Sequence, residues 1–233
     1  MTFAALALLN AMTLLFVLLL EETLPREGRV QQSTLHSLLG LVKVVKNPVF
    51  TNLLLVGGFL TAPFMAYIAV ASYVYVNEFH TSETVFSIYF AVTAAMTVAG
   101  PLLYGRLGPK PLNNVLWAAY GVAAIAGVLL LTVGKINPVL FMLSFIPFAI
   151  MCTYVRPFTA EKLLNAQKEN IGAAAAVMNF GFTILGSLGM LVGSLRWPGY
   201  VTGIAVTILI FAAISAVIFA ATGRLEKFSA AHH

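Results

Sequence analysis

Aspartate is absent from this 233-residue chain, and charge of either sign is scarce. Only 9% of residues are charged, against roughly 25% in a soluble globular domain. The acidic residues are all glutamate (Glu21, Glu22, Glu27, Glu78, Glu83, Glu161, Glu169 and Glu226), and none lies in the middle of an apolar run. Cys152 is the single cysteine, so no intrachain disulfide can form. The histidines, His36, His80, His232 and His233, lack the spacing of a zinc site. No stretch presents paired carboxylates or a His/Ser/Asp set, so the chain reads as a non-enzyme without metal or cofactor. The net charge of +5 is scattered over the ends of apolar runs rather than gathered into a patch, which argues against nucleic acid as a partner.

What the chain has in abundance is apolar length, with 60% of residues hydrophobic. A membrane-spanning helix needs about 17–25 such residues in a row. Seven runs qualify: 3–20, 50–76, 84–105, 113–134, 137–158, 171–195 and 199–222. The first has no basic start and no small-residue cleavage site, and it ends at Glu21-Glu22, so it reads as a span rather than a signal peptide. Basic residues mark the cytoplasmic loops of membrane proteins. Of the 13 here, all but Lys135 and Arg196 fall on one side of a seven-span threading. That side holds Arg26, Arg29, Lys43, Lys46, Arg106, Lys110, Arg156, Lys162, Lys168, Arg224 and Lys227. The pattern predicts an outside N-terminus and a cytoplasmic C-terminus.

Four segments follow: a first span over 1–22, a cytoplasmic connector over 23–48, a six-helix domain over 49–222 and a tail over 223–233. Within the connector, Ser33 can cap a helix in which Leu35, Leu38, Leu39 and Val42 recur at helical spacing beside Lys43 and Lys46. Such a helix can lie on the membrane surface or serve as a packed linker; the pattern leaves both open.

The spans differ in polarity. Runs 3–20, 113–134 and 199–222 are almost purely aliphatic and suit lipid contact. Runs 50–76 and 137–158 carry tyrosines, Ser144, Cys152, Thr153 and Arg156, and each has a mid-run proline, Pro63 or Pro147. Polar groups are costly in hydrocarbon, so these two helices are expected to face a bundle interior or a wet cavity. Without the first span, two units of three helices remain, 50–134 and 137–222, which start on opposite sides. That is the pattern of an inverted repeat, in which paired interruptions point to a transport site.

A basic Gly/Pro-rich turn, Tyr104-Gly105-Arg106-Leu107-Gly108-Pro109-Lys110, follows the second helix of the first unit. With the three-plus-three pattern and the long connector, it resembles the second half of a major facilitator superfamily transporter. The family's turn is roughly Gly-x-x-x-Asp-Arg-x-Gly-Arg-Lys. Pro101 and Gly105 depart from it, while Arg106, Gly108 and Lys110 match. Glu21-Glu22-Thr23-Leu24-Pro25, Asn47-Pro48-Val49-Phe50 and Gly172-Ala173-Ala174-Ala175 resemble the bicyclomycin-resistance-type drug:proton antiporters. The resemblance implies an all-α membrane protein of seven transmembrane helices, equivalent to helices six to twelve, in a bacterial inner membrane. It implies proton-coupled efflux of small molecules by alternating access. The coupling carboxylate of the family's first half has no match here, so the chain reads as a fragment that needs a missing N-terminal half or a second copy. Uptake of a small metabolite, a non-transporting seven-span protein and a receptor are the alternatives.

Candidate site residues follow from helical faces. Phe64, Tyr67, Ala71 and Tyr75 share one face, and Phe141, Phe145, Phe148, Cys152 and Arg156 share another. From these, Phe64, Tyr67, Tyr75, Phe148, Cys152 and Arg156 are the candidate substrate contacts, with helix-packing core as the competing reading. Arg156 can alternatively snorkel or pair with Glu161. Arg106, Gly108 and Lys110 are topology anchors or, as the resemblance implies, a cytoplasmic gate. Asn179, Gly186, Met190 and Gly193 lie on a small-residue helix that in the family meets the opposite half.

Overall fold

The computed structural model describes residues 2–19, 34–108, 110–167 and 171–230, and its regular elements are helical. Ser33 and the basic residues Arg26, Arg29 and Lys168 lie outside these residues. The contacts divide the chain into residues 1–37 and 38–233. The first unit holds α1 (Thr2–Leu19). Its described side chains are all exposed, Phe3, Leu6, Leu9 and Phe16 among them. Asn10 and Thr13 return hydrogen bonds of 2.8 and 2.9 Å to the carbonyls of Leu6 and Leu9, which satisfies both polar groups within the helix, as an apolar medium demands.

The second unit begins within α2 (Thr34–Lys46). It continues through α3 (Pro48–Ser72), α4 (Glu83–Thr97), α5 (Ala99–Leu107), α6 (Leu112–Thr132), α7 (Pro138–Asn165), α8 (Ile171–Gly193) and α9 (Tyr200–Ala230). A π-helical turn, Tyr73–Glu78, extends α3, and α4 and α5 form one broken span. Six helical segments among the described residues are long and apolar enough to cross a membrane, and Leu6–Leu19 is a shorter apolar helix.

The two proline-bearing helices start alike. Asn47 and Asn137 sit at the N-caps of α3 and α7, each followed by proline at the first helical position. Asn47 Oδ1 accepts from Val49 N at 3.0 Å, and Asn137 Oδ1 accepts from Leu140 N at 2.9 Å. The side chain satisfies an orphan donor while proline presents none. The two helices run antiparallel: Phe50 clusters with Leu163, and Tyr67 stacks on Phe145.

The break between α4 and α5 has a covalent cause. Pro101 has no N–H for the carbonyl of Thr97, four residues earlier. Thr153 of α7 donates to that carbonyl instead, at 2.8 Å. The approach that permits this depends on Gly100, where an added Cβ would lie 2.6 Å from the backbone nitrogen of Tyr154.

The helix on which the rest packs is α3, flanked by α7, α8 and α9. Its seam with α8 is made of small residues. A Cβ at Gly189 would lie 2.3 Å from the carbonyl oxygen of Ala62, and one at Gly193 would lie 2.7 Å from Ala66 Cβ. Across α9, buried Ser215 donates to the Val56 carbonyl at 2.8 Å and meets Tyr120 Oη at 3.0 Å. A polar chain inside an apolar bundle ties three helices in this way. At the α3 N-terminus, Val44 of α2 is fully buried with Phe50, Leu163 and Ala174. Val42, Lys43, Val45 and Lys46 remain exposed, and the side chains of Leu35, Leu38 and Leu39 lie outside the described residues. At the opposite end, the Glu78 carboxylate accepts from Val201 N at 3.1 Å and caps α9, where its charge suits the helix dipole.

Candidate functional site

Helices α3 and α7 border two unlike regions. The first is an aromatic cluster near the C-terminus of α3 and the N-terminus of α7. Tyr67 stacks on Phe145 at 4.1 Å between centroids and on Phe90 of α4 at 6.0 Å. Tyr75 stacks on Tyr89 at 5.2 Å and meets Phe141 edge-on at 5.4 Å. Phe148 is buried beside Phe145, 5.8 Å away. Tyr67 and Tyr75 are 2% and 0% exposed, and neither hydroxyl completes a hydrogen bond among the described residues.

The second region is a cleft of about 210 Å³ between α3, α7 and α8. Its walls include Thr61, Phe64 and Met65 from α3, Cys152, Thr153 and Arg156 from α7, and Phe182, Thr183, Gly186, Ser187 and Met190 from α8. The hydroxyl protons are committed. Thr61 donates to Gly57 O at 2.9 Å, Thr183 to Asn179 O at 2.8 Å and Ser187 to Thr183 O at 2.9 Å. These side chains therefore offer lone pairs to the cleft. Cys152 is buried, its Sγ 3.9 Å from the Leu60 carbonyl.

Arg156 is the one charged residue of the lining among the described residues. Its guanidinium carbon lies 5.5 Å from the centroid of Phe182, a cation–π distance. Pairing with Glu161 is not what the structure shows: that carboxylate accepts from Tyr104 Oη at 2.8 Å. Arg156 also sits about 9 Å along the helix axis before Lys162, so it lies deeper than the basic residues at the helix end.

The six proposed substrate contacts therefore separate. Phe64, Cys152 and Arg156 line the cleft, whereas Tyr67, Tyr75 and Phe148 are packed in the aromatic cluster. For the two tyrosines the reason is α4, whose Phe86, Tyr89 and Phe90 pack against them, while Phe148 packs beside Phe145. The α8 set is divided between a packed and an open face. Gly193 is buried against Ala66 of this same chain, and Gly186 packs on Met65 while lining the cleft. Met190 lines the cleft and Asn179 is exposed. In the basic turn, Gly108 ends α5 with φ 67°, a left-handed conformation that glycine adopts without strain. Arg106 and Lys110 are exposed, and Tyr104 tethers the turn to α7 through Glu161. Pro109 lies outside the described residues.

Sequence reasoning missed Phe182, Thr183 and Ser187, because α8 reads as a partner-facing helix, and Thr61 and Met65, because only the aromatic face of α3 stood out. The repeated Asn-Pro start of α3 and α7 was a usable signal of their equivalence.

A bundle of span-length helices with a cleft between two proline-bearing members suits a membrane carrier. Residues 1–190 match the family model described as Major Facilitator Superfamily, and the chain belongs to that superfamily as an integral membrane protein. It is 30% identical over 188 residues to a Bacillus subtilis (strain 168) protein whose printed name is "Uncharacterized MFS-type transporter YdgK". The alignment takes in 80% of this chain and 46% of that relative, so the chain spans about half the length of the protein it matches.

Proposed function

We propose that this chain forms one half of a secondary transporter and that the α3/α7/α8 cleft is one wall of its pathway. The observation that carries this is the position of the cleft. It lies between the two helices that share an Asn-Pro start and a mid-helix proline, and Arg156 brings a charge to its wall. Its volume is below the roughly 300–1,000 Å³ of drug-sized sites. A second wall, from a first half or a second copy, would complete it. The relative's printed name as an MFS-type transporter supports the same reading.

In this reading α1 is the equivalent of helix six, and α3 to α9 form the three-plus-three inverted repeat. The basic helix ends face the cytoplasm of a bacterial inner membrane. Alternating access moves a small molecule, with proton-coupled efflux of the bicyclomycin-resistance type as the mode. The aromatic cluster closes the outer end, and Arg106, Gly108 and Lys110 take part in a cytoplasmic gate.

The test places a single cysteine at Ser187 in a Cys152→Ser background and probes it with a membrane-impermeant maleimide. Ser187 should label from the side of Lys43 and Lys162, and an imposed proton gradient should change its rate several-fold. No reaction from either side, or a rate indifferent to every gradient, would remove the cleft from the pathway.

A further inference from the structure

We infer that the cleft takes a monoanionic organic solute, with a carboxylate or sulfonate head held by Arg156 and an apolar, ring-bearing body lying between Phe64 and Phe182. This narrows the substrate class, and it rests on the reading of the cleft as part of the transport pathway. Among the described residues the electrostatics of the lining are one-sided: Arg156 is the only charged residue on it, and no carboxylate lies there. Glu161, the nearest carboxylate along α7, is engaged by the Tyr104 hydroxyl at 2.8 Å. The guanidinium instead lies 5.5 Å over the Phe182 ring. That contact fixes the position of the side chain but neutralises no charge, so the donors of the guanidinium fork stay available for an anion.

A charge-assisted contact to a guanidinium on a largely apolar wall is stronger than the same contact in bulk water, so a solute anion gains there. An organic cation would meet like charge at the same place. The rest of the wall selects the body of the solute. Phe64 and Phe182 offer ring faces and Met65 a pliable thioether surface. The threonine and serine hydroxyls, already donating to backbone carbonyls, can accept from an N–H or O–H on that body but repeat none of the donor capacity of Arg156. Head and body are thus read by different residues, which makes the charge preference separable from the shape preference.

The experiment uses the natural full-length protein in lipid nanodiscs and three probes of one shape: 2-naphthoate, 2-naphthamide and 2-naphthylmethylammonium. Binding is measured for wild type, Arg156→Gln, Arg156→Lys and Ser187→Trp. Wild type should bind the naphthoate about tenfold or more tightly than the other two, the range of a charge-assisted contact. Arg156→Gln should erase that preference while leaving naphthamide within about twofold, and Arg156→Lys should restore part of it. Ser187→Trp, which fills the cleft, should weaken all three probes. A preference for the ammonium, or an anion preference that survives Arg156→Gln, overturns the anion assignment while the cleft stands as the site. Binding that Ser187→Trp leaves unchanged, or no binding of any probe, overturns the cleft reading and the assignment with it. Thermal melts of each variant identify any loss that comes from misfolding.

Discussion

The aromatic cluster and the cleft are built on the same two helices, yet one is dry and filled and the other is open. Both use bulky side chains of α3 and α7 at helical spacing. What differs is the third helix. Against the cluster, α4 brings Phe86, Tyr89 and Phe90, which interleave with Tyr67, Tyr75 and Phe141. Against the cleft, α8 brings Gly186, Ser187 and Thr183. Rings fill the space on one side and small polar residues leave it vacant on the other. Phe64 joins the two, stacked on Phe145 at 6.3 Å and also lining the cleft. A face rich in aromatics is thus a binding surface only where its neighbour declines to cover it.

The strongest way to break this contrast is to delete a ring from the filled side. Tyr67→Ala should cost about 3–5 kcal/mol of stability, as for large-to-small changes in a packed core. Phe64→Ala should cost clearly less and should act on binding. Thermal unfolding in detergent compares them directly, and equal losses would erase the distinction between the regions. Next in size is the seam that holds α8 beside α3. Gly189→Val brings a Cβ within 2.3 Å of the Ala62 carbonyl oxygen, and overpacking of this kind costs about 1–3 kcal/mol. Gly172→Val, where nothing lies within 4 Å of the added Cβ, is the control and should melt within about 0.5 kcal/mol of wild type.

A smaller effect is expected at the broken span. Thr153→Val removes the donor to the Thr97 carbonyl and should cost about 1 kcal/mol. It should also speed amide hydrogen exchange around Val98 and Pro101; unchanged exchange there would mean that the bond does not hold the break. The smallest effect carries the opposite sign. Among the described residues, the buried Tyr67 and Tyr75 hydroxyls complete no hydrogen bond. The double variant Tyr67→Phe/Tyr75→Phe should therefore be neutral or more stable by about 1 kcal/mol, since it relieves two unmet polar groups. A clear loss on melting would show that those hydroxyls are satisfied in the membrane.

The sequence by itself determined the class of the molecule. Apolar run length is a one-dimensional property, and so are the scarcity of charge, the prolines that interrupt helices and the Gly108 turn. Each acts through local backbone chemistry, which is why the six spans of the second unit and the kinked pair α3 and α7 were legible from residues alone. Even the partition of basic residues between helix ends needs only alternation of direction. The site was half legible for the same reason. Periodicity placed Phe64, Tyr67, Phe148, Cys152 and Arg156 on inward faces, but a face has no neighbour until helices are brought together. Tertiary structure alone decided that α4 would cover Tyr67 and Tyr75, and that Glu161 would accept from Tyr104 and leave Arg156 to the cleft. It also decided that Gly189 and Gly193 would seal α8 to α3 within the chain. Those outcomes depend on which side chains compete for the same space and the same donors, and that competition exists only in three dimensions.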